Sequence, residues 1–167
     1  MPETIKTTLL KAIETMLRAQ LPELATVRRD WQFPFDLSNV ALPVLVFYED
    51  AEDLGQVGGQ LARNRLDLDL VVFAAFSGPI YQEDDPAWED NGAWQAFKDW
   101  ADGLAGQVHG LWQDREIMAP LKAAGLLRLE ELGNRKAPSN QDYGELVLSY
   151  RLTYGHALGD AFTTVFS

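Results

Sequence analysis

The sequence predicts an α+β domain, a single antiparallel or mixed sheet of about four strands covered by two main helices. Three observations carry this. Leu66, Leu68 and Leu70 alternate with Asp67 and Asp69, and Leu146, Leu148, Tyr150, Leu152 and Tyr154 alternate with Glu145, Ser149, Arg151 and Thr153. Such a period of two marks strands with one wet face. Two longer stretches, residues 3–20 and 88–112, instead repeat apolar residues at helical spacing. Consecutive strands joined by loops pair antiparallel most readily, and two helices suffice to cover one face of their sheet.

In the first helix Ile5, Leu9, Ile13, Met16 and Leu17 form the stripe, while Lys6, Lys11, Glu14 and Arg18 take much of the remaining surface. Pro2 and Glu3 suit its first turn and Pro22 lies just past its end. Residues 25–31 read as a weaker strand, followed by a turn at Pro34, Asp36, Ser38 and Asn39. Residues 42–48 read as a strong strand. Residues 49–59 then read as an acidic, glycine-bearing excursion, too long for a tight hairpin turn. The strand at 65–76 passes from alternation into the continuous apolar run Val71-Val72-Phe73-Ala74-Ala75-Phe76, which predicts cover on both faces at that end.

Glu83, Asp84 and Asp85 precede Pro86 and favour the positive end of the helix at 88–112. Ala93, Phe97, Trp100, Leu104, Val108 and Leu111 form its stripe. Gly103, Gly106 and Gly110 predict either close approach to the sheet or a break. A short helical turn at 118–124, a strand at 126–132, a polar and turn-rich loop at 133–143 and the strand at 145–154 complete the domain. It spans residues 1–167, with 155–167 as an extended tail containing Phe162, Val165 and Phe166.

With 167 residues the chain can bury roughly 70% of the surface exposed on unfolding. The absence of cysteine excludes a disulfide framework, thiol catalysis and thiolate metal sites. The first residues lack a basic segment followed by an apolar run, and no apolar stretch approaches the ~20 residues that span a bilayer, so a soluble, intracellular protein is expected. The net charge of −11 opposes binding to phosphate backbones. Arg28 and Arg29, near Trp31, Phe33 and Phe35, could form a stacking platform for single strands, but a strand with exposed arginines before an aromatic loop explains them more simply. Specific nucleic-acid binding is not expected.

Catalytic and metal signals are equally sparse. His109 and His156 have no neighbour at metal-ligand spacing. The glycines at 55, 58 and 59 lack the lysine and following helix of a phosphate loop, and no serine occupies a nucleophile elbow. Asp67 and Asp69 would lie about 7 Å apart on one strand face, where solvated outer-face residues are the simpler account. Asp50, Glu52 and Asp53 lack the donor spacing of a calcium loop. Trp94, Trp100 and Trp112 read as core more readily than as a ligand cage. No enzymatic activity, cofactor or metal is expected.

The order of elements resembles tail terminator and minor tail proteins of long-tailed bacteriophages and prophages. The likeness covers residues 3–154. It rests on the N-terminal amphipathic helix, the Leu42-Pro43-Val44-Leu45-Val46-Phe47-Tyr48-Glu49 strand, the glycine-containing excursion, and Arg63-Asn64-Arg65 leading into the alternating strand. The Trp-, Leu- and Ala-rich helix and the terminal strand at 146–154 also fit. The resemblance implies a subunit without an active site that forms a ring, commonly hexameric. The ring caps the tail tube and joins it to the head, in the host cytoplasm during assembly and then in the virion tail. Its partners would be further copies of itself, the tail tube and head-connector proteins. Asp50, Glu52, Asp53, Arg65, Asp67, Asp69, Phe162 and Phe166 are the candidate subunit contacts, and Asn134, Arg135 and Lys136 belong to the candidate docking loop. Another head–tail completion or tail-associated protein, and a small bacterial ligand-binding domain or enzyme, are the alternatives.

Overall fold

A computed structural model describes residues 3–29, 39–58, 61–75, 92–140 and 143–157. Within them the chain is α+β, with five strands in one mixed sheet and three helices. Helix α1 (Ile5–Gln20) is followed by β1 (Thr26–Arg28), β2 (Val44–Gly58), β3 (Leu61–Ala75), α2 (Gly92–Gln113), α3 (Arg115–Ala123), β4 (Leu126–Asn140) and β5 (Tyr143–Ala157). The sheet order is β1-β2-β3-β5-β4. All pairings are antiparallel except β1 with β2, which is parallel. Four strands have 15 residues each, so the sheet is about 50 Å long at ~3.3 Å per residue. No described helix is long and apolar enough to cross a membrane.

Local chemistry explains the helix starts. Thr4 caps α1, its hydroxyl accepting from Thr7 N at 3.2 Å, and Asp114 caps α3 by accepting from Glu116 N and Ile117 N at 3.0 and 3.1 Å. The expected apolar stripe of α1 is buried, with Leu10 added to it. Its C-terminal half is tied to β1 by Arg18, which donates to the Val27 carbonyl at 2.6 Å.

The three helices share a core with one face of the sheet. Leu66, Leu68, Leu70, Val72 and Ala74 of β3 point into it, beside Leu146, Leu148, Tyr150, Leu152 and Tyr154 of β5. The opposite face splits in two along its length. Val44, Val46, Val71, Phe73 and Val147 form a second, smaller apolar cluster, against which Val40 and Leu42 pack. The expected cover on both faces of β3 is therefore present at Val71 and Phe73, each 6% exposed. Further along β3, Asp67 and Asp69 occupy the same face half-buried.

Several expectations need correction. Residues 49–58 are not a loop but the second half of β2, paired with β3 across two register shifts. Gly55 sits at one of these bulges with φ +105°, a backbone angle that favours glycine. Most of 133–143 likewise continues β4, with register shifts at Gly133 (φ +140°) and between Pro138 and Asn140. Proline is tolerated there because β4 is an edge strand and the shift interrupts its ladder. Asn134, Arg135 and Lys136 thus lie on a strand. Gly103, Gly106 and Gly110 neither approach the sheet nor break α2: a Cβ on any of them would meet nothing within 4 Å. Phe162, Phe166 and the tail beyond residue 157 lie outside the described residues.

Candidate functional site

The sheet face opposite the described helices carries a group of charges from several strands. β3 presents Arg63, Arg65, Asp67 and Asp69 at every second position. The register sets Thr153 of β5 opposite Arg65 and Arg151 opposite Asp67, and β4 adds Arg128 opposite Thr153 and Glu130 opposite Arg151. On the other side, Asp53 of β2 faces Arg65.

Ion pairs knit these rows together. Arg151 grips Asp67 with two bonds, Nε to Oδ1 at 2.8 Å and Nη2 to Oδ2 at 3.1 Å. Arg65 Nη2 lies 2.8 Å from Asp53 Oδ2, and Arg128 Nη2 lies 2.6 Å from Glu130 Oε1. The bonds from Arg151 hold the Asp67 carboxyl below its ordinary pKa, against the opposing effect of burial. Arg63 has no ion-pair partner among the described residues.

Between the four arginines lies a concavity of about 580 Å³. Leu61 and Leu127 contribute its apolar lining. They close over Gly155, where an added Cβ would lie 2.8 Å from Leu61 Cδ1 and 3.0 Å from Leu127 Cδ1. Its chemistry, guanidinium groups beside apolar surface, suits carboxylate-bearing partners.

On the helix-covered face, Glu49 and Glu52 meet Lys6 Nζ at 2.7 and 2.9 Å, and the Tyr154 hydroxyl donates to Glu52. Burial disfavours both charges, but the hydrogen bonds from Tyr154 and Lys6 keep Glu52 below its usual pKa, and the two carboxylates keep Lys6 above its own. Burial raises the Tyr154 phenol well above its ordinary value. Asn64, only 4% exposed, accepts from Gly55 N at 3.1 Å, which fixes the bulge. These groups border a hollow of about 390 Å³. An ionised Glu52 and a strongly protonated Tyr154 are poorly matched to proton transfer near neutrality.

A third hollow, of about 270 Å³, lies beside Trp112. His109 Nδ1 is 2.6 Å from Glu131 Oε2 at this place. A histidine–carboxylate pair can orient a general base, but no serine, threonine or cysteine is among the described lining residues. The tryptophans serve packing: Trp94 stacks on Phe97 at 5.3 Å between ring centroids, and Trp112 meets Tyr150 edge-on at 5.3 Å. Among the described residues no group of three or more His, Asp or Glu side chains could hold a metal ion.

The structure brings Asp53, Arg65, Asp67 and Asp69 onto one face and separates Glu52 from them, because adjacent strand residues point to opposite sides. Asp50 is exposed at the first bulge of β2. Lys136 turns toward α2, 2.5 Å from Asp102, while Asn134 and Arg135 are exposed on β4. Arg29, just past β1, is paired with Glu14 of α1 at 3.1 Å, which attaches this segment to the helix, and Trp31, Phe33 and Phe35 lie outside the described residues.

Arg128 escapes the sequence reading, Arg151 enters it only as a wet-face residue of its strand, and Arg63 only through the resemblance. A search for basic runs finds neighbours in sequence, and these come from three strands. The available signal was the period of two itself: Arg63-x-Arg65, Arg128-x-Glu130 and Arg151-x-Thr153 each lie on the wet side of a strand pattern. No protein-family model matches this chain, and no curated protein sequence matches it.

Proposed function

We propose that this chain is a structural tail protein of a long-tailed bacteriophage or prophage, a terminator whose ring caps the tail tube and joins it to the head. The observation that supports this most is the contrast between the two faces of one sheet, one closed by three helices and the other carrying a lattice of arginines and carboxylates that no described helix covers. A ring built by heterologous contacts needs two different patches held rigidly on one subunit. Two long hairpins, β2–β3 and β4–β5, supply that rigidity. The subunit acts by binding copies of itself, then the tube and the connector, in the host cytoplasm and later in the virion.

Light scattering across a range of concentrations tests the reading. A closed oligomer of fixed size, with a hexamer as the first expectation, is the supporting result. A strict monomer that also forms no ring when purified tail-tube protein is added would sink it. Negative-stain images of assembled particles separate a terminator, found at the head-proximal end of the tube, from another tail-associated protein.

The hollow beside Lys6, Glu52 and Tyr154 favours a second reading, a small ligand-binding domain. That reading requires saturable binding of a polar small molecule, lost in Glu52→Gln while the fold is retained.

A further inference from the structure

We propose that the concavity framed by Arg63, Arg65, Arg128 and Arg151 receives the acidic stretch at residues 83–90 of a second copy of this chain. The inference rests on the ring reading and names the contact that would close the ring. Its first support is charge. A chain of net charge −11 repels its own copies unless a positive patch on one meets carboxylates on the next. The concavity is such a patch: its lining holds four guanidinium groups and one carboxylate, Glu130, while Asp53 and Asp67 pair with Arg65 and Arg151 from beside it and Arg63 has no described ion-pair partner.

The second support is the nature of the guest. Arg65, Arg128 and Arg151 already pair with carboxylates, so a carboxylate guest extends an arrangement already present. A nucleic acid would have to approach against the charge of the whole chain. Residues 83–90 hold five of the chain's acidic side chains, Glu83, Asp84, Asp85, Glu89 and Asp90. No other window of eight residues in the sequence holds as many.

The third support is covalent reach. The stretch lies between Ala75, the end of β3, and Gly92, the start of α2. Gly92 belongs to the same end of the sheet, because Phe97 of α2 lies over Gly144, which is paired with Ala74. Arg63 stands twelve residues back along β3 from Ala75, about 40 Å at ~3.3 Å per residue. Glu83 is eight residues beyond Ala75 and reaches at most about 28 Å even when fully extended, and Asp90 is tethered two residues from Gly92. Contact with Arg63 of its own chain would need the segment fully extended, at a high cost in conformational freedom, whereas a neighbouring copy meets no such limit. Edge-to-edge strand pairing is the competing way to join copies. Register shifts interrupt both β2 and β4, and such irregular edges discourage it.

Arg63→Glu is the sharpest variant, since Arg63 is exposed and its removal breaks no described ion pair. Two measurements run side by side. The first is native mass for the wild type, for Arg63→Glu, and for a chain with Glu83, Asp84 and Asp85 changed to lysine, alone and mixed. The second is fluorescence anisotropy of a labelled synthetic peptide of residues 81–91 on the wild type and on Arg63→Glu. Circular dichroism confirms that each variant folds, and Arg63→Gln serves as a milder variant.

The proposal expects each variant alone to lose the oligomer and the mixture to recover part of it. It also expects saturable, salt-sensitive peptide binding, weakened about tenfold or more in Arg63→Glu. An oligomer that persists in both folded variants overturns this contact and leaves the ring reading standing. If the wild type never forms an oligomer, the ring reading fails, and the peptide alone decides whether the concavity takes this acidic stretch. Peptide binding that is absent, or equal in Arg63→Glu, overturns the proposal. So does Arg63-dependent binding of a DNA oligonucleotide that outcompetes the peptide.

Discussion

Alternate residues of the same strands build both faces of this sheet, and the two faces hold together by different physics. On β3, Leu66, Leu68 and Leu70 enter the helix-covered core at 1% exposure or less. Arg65 and Asp67, interleaved with them, form ion pairs with Asp53 and Arg151, and half-buried Asp69 stands on the same face. The covered side is stabilised by removal of apolar area from water, about 1.5–3 kcal/mol for each leucine fully buried. The charged part of the opposite face has pairs whose worth is held near 0–1 kcal/mol each by water and salt. Stability therefore resides in the helix-covered core and in the smaller apolar cluster around Val44 and Phe73, which leaves the charged half of the opposite face free to change for binding at small cost to the fold.

Adjacent substitutions on β3 put the largest predicted difference to the test. Leu68→Ala should destabilise the protein by about 3–5 kcal/mol, through lost burial and the cavity left behind. Asp67→Ala, one residue away, should cost about 1 kcal/mol or less. Urea denaturation measures both, and equal losses would break the contrast between the faces.

One group from each face, Tyr150 and Asp67, titrates at opposite ends of the pH scale. Burial pushes the Tyr150 phenol, on the covered face, from 10.0 up to about 12. The folded state therefore keeps its proton longer than the unfolded chain does. Stability is unaffected below pH 10 and falls as pH rises from 10 to about 12, by about 2–3 kcal/mol for this group. Tyr150→Phe should remove that share of the alkaline loss, seen as a smaller shift in urea midpoint between pH 10 and 12. An unchanged alkaline limb would mean that the phenol is not protected as its burial implies.

For Asp67, on the opposite face, the sign reverses. Arg151 depresses the Asp67 carboxyl below its ordinary 3.8, so its contribution is present above pH 4 and disappears as pH falls through the lower folded value. Asp67 is partly exposed, and solvent screening limits this to a fraction of the Tyr150 effect. Asp67→Asn should flatten the acid limb slightly at low ionic strength and hardly at all in high salt. A salt-independent change would place the effect in packing instead.

Much of this architecture was legible in the sequence, and the misreadings share a cause. Period-two patterns located β3 and β5, and helical spacing located α1 and α2, because burial of one face dictates both periods. The second halves of β2 and β4 were read as loops because they carry Gly55, Gly133 and Pro138, residues that punctuate chains. In the structure those residues accommodate register shifts within long strands, where one extra residue disturbs the alternation that identifies a strand. Of the expected antiparallel or mixed sheet, the mixed form is the one present: β1 lies parallel to β2, and residues 29–43 connect the two strands. The arginine concavity was hidden for another reason. Its members meet through register, between positions as far apart as Arg63 and Arg151, and sequence proximity carries no trace of that.

The smallest predicted effect concerns three glycines that looked structural. Gly103, Gly106 and Gly110 lie on the exposed side of α2, with open space where a Cβ would stand and no φ that would strain an alanine. Nothing in the folded state resists the substitution, and the unfolded chain loses freedom when glycine becomes alanine. Each replacement by alanine should therefore stabilise the protein by about 0.5 kcal/mol, with the three together raising the urea midpoint measurably. Gly144 provides the contrast on the same helix contact: an added Cβ there would overlap the Phe97 ring, so Gly144→Ala should destabilise. If the α2 alanines instead weakened oligomer formation while stabilising the subunit, this exposed helix side would be part of the assembly surface. The division between a stabilising face and a binding face would then have to be redrawn.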